Sequence, residues 1–201
     1  MTIRTKLYLF AISLITLIVI NQLIINHQAT KLETIAHILN MSGRQRMFSQ
    51  NITKNTIKIK NAQANETPFF EERRKVKDMI LVFEKIHHGL KERKENLGFK
   101  GENSAYINNM FKDIEPSFLV IKENTNKLIN SNRLEDLGIY AAVVENNNEA
   151  FLTRMNSIVN QYEEDFKSEI KSLAKIFLFI NTLIVTLIII GMLYISKKIQ
   201  F

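Results

Sequence analysis

The sequence predicts an all-α protein, an up-down-up-down four-helix bundle with its first and last helices continuous with two transmembrane helices. Three observations predict it. Residues 7–30 and 176–196 are runs of 24 and 21 residues without a charged side chain, and about 20 mainly apolar residues carry a helix across a bilayer core. The 201 residues include only two prolines and six glycines, so turns are scarce and elements long. No segment alternates apolar and polar residues as a half-buried strand does, and lipid admits only helices or closed barrels.

The first helix is expected over about 7–63. Its apolar run exceeds the 7–15 residues of a signal-peptide core, and Asn26-His27-Gln28-Ala29 is a poor small-x-small cleavage site, so an uncleaved anchor is expected. At Asn65-Glu66-Thr67-Pro68, Thr67 suits an N-cap and Pro68 the first helical position, with Glu71 and Glu72 near the helix start. The second helix is expected over 68–97, ending on Gly98, and Asn103 or Ser104 can cap a third over 103–130. Pro116 inside it should kink or interrupt the helix. Asn130-Ser131-Asn132-Arg133 is a polar break before a fourth helix over 133–198. Short connections make neighbours antiparallel.

The formal charge of +7 suggests nucleic acid, yet its distribution argues otherwise. Residues 27–174 hold all 20 acidic and 22 of the 27 basic residues. The other five positives, Arg4, Lys6, Lys175, Lys197 and Lys198, flank the apolar runs. Charges beside spans set orientation, so both termini are expected in the cytoplasm and no nucleic-acid partner is expected. The expected layout is an N-terminus over 1–6, a span over 7–26, an extracytoplasmic domain over 27–174, a second span over 175–196 and a C-terminus over 197–201.

Chemistry-bearing constellations are few. The lack of cysteine removes disulfides and thiolate sites. His87 and His88 point about 100° apart on a helix and cannot chelate as an i, i+4 pair would; both are expected to be solvated. The mixed run Glu71–Asp78 reads as a solvated face, and Glu163-Glu164-Asp165 as surface charge. No nucleophile–base pair, phosphate loop or metal-ligand spacing stands out, so neither an enzyme nor a cofactor is expected.

The first helix carries two stripes. Ile38, Met41, Gln45, Phe48, Ile52 and Ile59 form one face at 3–4-residue spacing. Ala36, Leu39, Gly43, Arg46, Gln50, Thr53 and Ile57 form another about 200° away. A second stripe implies a second helical partner, most simply the same helix in a symmetric dimer. Gly43 costs roughly 1 kcal/mol of helix stability relative to alanine and permits close approach. Arg46 near a two-fold axis would meet its own copy, and an anion between the guanidinium groups would turn repulsion into charge-assisted hydrogen bonds. Asn40 and Gln50 are expected as interface or surface polars; Met41, Met47, Phe48, Met155 and Tyr162 as packing residues.

Asn40-Met41-Ser42-Gly43-Arg44-Gln45-Arg46-Met47-Phe48-Ser49-Gln50 resembles the N-x-[AS]-G-R-Q-R-M-L-S-Q signature of the type IV pilus methyl-accepting chemotaxis transducer N-terminal domain. It is also similar to the periplasmic box of nitrate/nitrite sensor kinases. Phe151 to Glu163 resembles the family's L-L-x-x-M-[ND]-x-V-V-x-x-Y-E segment. The resemblance implies a periplasmic sensor domain that dimerises in the bacterial inner membrane. In the nitrate sensors an arginine matching Arg46 holds the anion from each subunit, helped by backbone near the glycine matching Gly43. Arg44 stands where those sensors carry a small polar residue, as in the pilus-type branch, which leaves the ligand as a small anionic or polar molecule. The expected ligand-binding residues are Gly43, Arg44 and Arg46.

The resemblance also implies a ligand-driven shift of the first helix against the fourth, of about 1–2 Å. The chain stops five residues after the second apolar run, so output is expected through a separate cytoplasmic or membrane signalling partner. The alternatives are a membrane-anchored helical adaptor or scaffold without a small-molecule ligand, and a truncated receptor.

Overall fold

The computed structural model describes residues 3–199; Met1, Thr2, Gln200 and Phe201, at the expected cytoplasmic ends, lie outside the described residues. Four α-helices follow one another: α1 Ile3–Ala64, α2 Phe70–Glu92, α3 Ala105–Asn130 and α4 Leu134–Ile199, with a 3₁₀ turn at Glu95–Leu97. No strand occurs among the described residues. The chain divides into two compact units, Thr34–Glu164 and Met1–Glu33 with Asp165–Phe201, and α1 and α4 contribute to both.

In Thr34–Glu164 all four helices feed the core. Ile38 and Ile52 of α1, Phe83 of α2, Phe111 and Phe118 of α3 and Phe151 of α4 are buried together. Phe83 is central, with ring centroids 5.3 Å from Phe118 and 5.2 Å from Phe151. Such tilted aromatic pairs contribute about 0.5–1.5 kcal/mol beyond their buried area. A smaller cluster of Ile59, Val76, Leu128, Leu137 and Ala141 again draws on every helix. Ion pairs Lys91–Glu115, at 2.8 Å, and Lys122–Glu84 tie α2 to α3.

Local chemistry moves two helix ends from their expected places. Thr67 does not cap α2. Its N–H and hydroxyl both donate to Ala62 O, at 2.9 and 3.3 Å, serving the carbonyl end of α1. Pro68 therefore stays in the loop, and Phe69 precedes α2 without a side-chain cap. At the other end α2 stops at Glu92 instead of 97. Arg93 turns left-handed at φ 50°, and the Asn103 amide donates to the carbonyls of Leu90 (2.8 Å) and Lys91 (3.2 Å). A side chain thus satisfies carbonyls that a helix end leaves free. Gly98, at φ 84°, closes only the 3₁₀ turn, and Ser104 caps α3 by accepting from Ile107 N at 3.2 Å. α3 continues through Pro116 without interruption. Gly89 gives room to the loop: a Cβ there would lie 2.6 Å from Phe99 Cδ2, and Phe99 is buried.

In the other unit, α1 and α4 expose apolar side chains such as Leu9, Ile12, Ile15, Leu178, Phe179 and Ile189. A helix apolar on all sides suits lipid. Both helices are long and apolar enough to cross a membrane. Gly191 packs against the Phe10 ring, and Lys31 pairs with Glu169 at 2.7 Å.

Candidate functional site

The motif segment lies mid-helix on α1, within Thr34–Glu164. Its inward side is more polar than the sequence pattern suggests. Ser42, Gln45 and Ser49 are fully buried beside Ile38 and Ile52. The Ser42 hydroxyl donates to Ile38 O at 2.8 Å, and the Ser49 hydroxyl donates to Asn148 Oδ1 on α4. Gln45 makes no side-chain hydrogen bond among the described residues.

On the outward side, Gly43, Arg46, Met47 and Gln50 line an open groove of about 420 Å³ with Leu152 and Asn156 of α4. Gly43 borders open space: a Cβ built there meets nothing within 4 Å. Arg46 is half-buried and donates from Nη1 to Asn156 Oδ1 at 2.6 Å. A guanidinium carries five N–H donors, and no carboxylate pairs with this one among the described residues. The groove combines an uncompensated cation, spare donors and a polar rim, a combination suited to an oxyanion.

The expected site residues separate in space. Gly43 and Arg46 share the groove. Arg44 does not line it, because two residues turn a helix by about 200°; its guanidinium stands 5.9 Å from the Phe48 ring centroid, with Nη1 4.0 Å from Met41 Sδ. Gln50 joins the groove, whereas Thr53 of the same stripe is buried. Met47, expected in the core, is 44% exposed. It sits nine residues from buried Ile38, half a turn around the helix. Asn156 went unrecognised as a site residue. Its signal is its spacing from Leu152, since i and i+4 share a helix face.

His87 corrects another expectation. It is fully buried, stacked on Phe118 with centroids 3.6 Å apart and planes within 7°. Its Nε2 lies 3.2 Å from Glu115 Oε2, and Lys91 Nζ reaches the same oxygen at 2.8 Å. Burial pushes the imidazole pKa down to about 4, against the opposing pull of Glu115. Burial raises the Glu115 pKa, but hydrogen bonds from Lys91 and His87 outweigh it and hold the carboxyl below its usual range. His87 continues the spacing of Val76, Ile80, Phe83 and Leu90, all buried. His88 stays part-exposed between Glu84 (3.7 Å) and Glu92 (3.2 Å).

The family model described as type IV pili methyl-accepting chemotaxis transducer N-term matches residues 28–137. The match takes in the α1 motif and all of α2 and α3, and ends before Phe151–Glu163. A relation to nitrate sensors has no support beyond the motif itself. Neither a curated protein nor a solved structure matches the chain.

Proposed function

The chain belongs to the family of type IV pili methyl-accepting chemotaxis transducer N-terminal domains, and from that premise we propose how this chemotaxis-transducer-like sensory module works. It takes a small anionic ligand in the groove of Gly43 and Arg46, at a two-fold interface formed by α1 of each subunit. The observation that carries the reading is the half-buried Arg46 guanidinium facing an open groove, with no carboxylate partner among the described residues. Arg44, exposed nearby on the same helix, adds positive potential that draws an anion in. Ligand held between two copies of Arg46 stabilises the dimer and biases α1 against α4, and the two helices carry the change to a signalling partner.

Two apolar helical segments and the family fit the inner membrane. We place the spans at 7–26 and 175–196, residues 27–174 in the periplasm and both termini in the cytoplasm, supported by the positive charges flanking the spans.

The test uses the full chain in lipid nanodiscs, heated with nitrate, inorganic phosphate, sulfate or succinate. Binding to the native state adds RT ln(1 + [L]/Kd), about 2.7 kcal/mol at 100-fold excess over Kd. One anion should raise the melting temperature of wild type, and Arg46→Ala should keep its helicity and lose the response. An unmoved wild-type melting temperature with all four would refute anion binding.

A second reading, an adaptor for another membrane protein, draws on apolar side chains exposed away from the groove, with Phe70 82% exposed and Ile139 61%. A partner complex that survives Arg46→Ala but not Phe70→Asp would favour it.

A further inference from the structure

The hydrogen bond from Arg46 to Asn156 sits inside the groove and also joins α1 to α4. An amide oxygen is a neutral acceptor. Phosphate, sulfate, nitrate and carboxylate present charged oxygens that accept two parallel N–H bonds from a guanidinium and add an ion pair, which a neutral amide oxygen cannot supply. An oxyanion that binds across the Nη1–Nη2 edge therefore competes with Asn156 for Nη1, the donor that Asn156 holds.

The α1 face beneath this contact is poorly suited to hold a fixed register by packing. Ser42, Gln45 and Ser49 replace the large apolar side chains that interlock elsewhere in the core. The Gln45 amide gains no hydrogen bond from its present position, and a buried unpaired polar group costs about 1–3 kcal/mol. With weak interlocking, the side-chain bonds that join α1 to α4 beside the groove, Arg46 to Asn156 and Ser49 to Asn148, matter more.

We propose that Asn156 is a latch: it holds Arg46 to α4, and an oxyanion opens it by taking the Nη1 donor. The proposal rests on the reading of Arg46 as the anion-binding residue and adds its regulation. Asn156 then opposes binding, because apparent affinity falls with the fraction of protein whose Arg46 is free. Removing the amide frees the guanidinium. Replacing it with a carboxylate closes the latch with a charge pair.

Calorimetric titration of the full chain in nanodiscs tests this, with inorganic phosphate, nitrate, sulfate and succinate as probes. Asn156→Ala should bind the responding anion up to about tenfold more tightly than wild type, equivalent to about 1.4 kcal/mol. Asn156→Asp should bind it at least about tenfold more weakly, and Arg46→Ala should not bind. Circular dichroism checks that each variant keeps its helices. If Asn156→Ala binds as wild type does, or more weakly, while Arg46→Ala abolishes binding, Asn156 is a bystander or a ligand contact. The latch then falls and the anion site stands. If no probe binds wild type, the Arg46 reading falls and takes the latch with it.

Discussion

His87 is a titratable side chain held among aromatic rings, with Phe118 against its face and Phe111 at its edge. Its folded pKa of about 4 lies below the ordinary imidazole value of 6.5. Between those values the unfolded chain binds a proton that the folded chain refuses, so stability rises with pH there. The contribution is complete above pH 6.5 and lost as pH falls towards 4. At about 1.4 kcal/mol per pKa unit it amounts to something on the order of 3 kcal/mol. Glu115, with a lowered pKa, acts in the same direction, since its pairing is lost as pH falls through its folded value. Thermal unfolding at pH 7 and pH 4.5 should therefore show a larger fall for wild type than for His87→Phe, which keeps an aromatic ring beside Phe118 and cannot titrate. Equal falls would show that His87 does not control acid sensitivity. Residue by residue, burial here follows helix phase: His87 continues the spacing of Phe83 and Leu90, and that phase outweighs its polarity.

At the scale of the element, α1 supplies most of the lining of the candidate groove. Its inward face was legible in outline, since Ile38, Ile52 and Ile59 are buried at the expected spacing. The outward face was legible in part. Gly43, Arg46 and Gln50 share one groove, whereas Arg44 points elsewhere and Thr53 turns inward. Spacing identifies residues that share a face, but the limits of that face depend on where α4 lies alongside, which α1's own sequence does not state. If the outward face is the dimer interface, a cysteine there should meet its twin. Gln50→Cys should give disulfide-linked dimers in oxidised membranes, and Leu81→Cys, exposed on α2, should stay monomeric. The chain has no cysteine of its own, so any band comes from the introduced thiol. Equal yields from both positions would remove α1 as the interface.

For the whole molecule, topology is the property closest to the sequence. Single cysteines at Asn65, in the α1–α2 loop, and at Arg4 test it with a membrane-impermeant maleimide on intact cells. Asn65→Cys should label and Arg4→Cys should label only after lysis; the reverse pattern would invert the proposed orientation. The all-α class, the two apolar segments and the four-helix order follow from composition and period alone, because uncharged runs and 3–4-residue spacing are local properties of the chain. The α1 motif pointed to the family over the region matched, 28–137. Tertiary structure decided what depends on distant residues. Asn103 reaches back from the α2–α3 loop to the carbonyls of Leu90 and Lys91 and ends α2 early. Asn156 meets Arg46 across 110 positions of sequence, and the buried Gln45 amide has no hydrogen-bond partner among the described residues. Such contacts form only when separate helices pack, and no local pattern encodes which side chains then face each other.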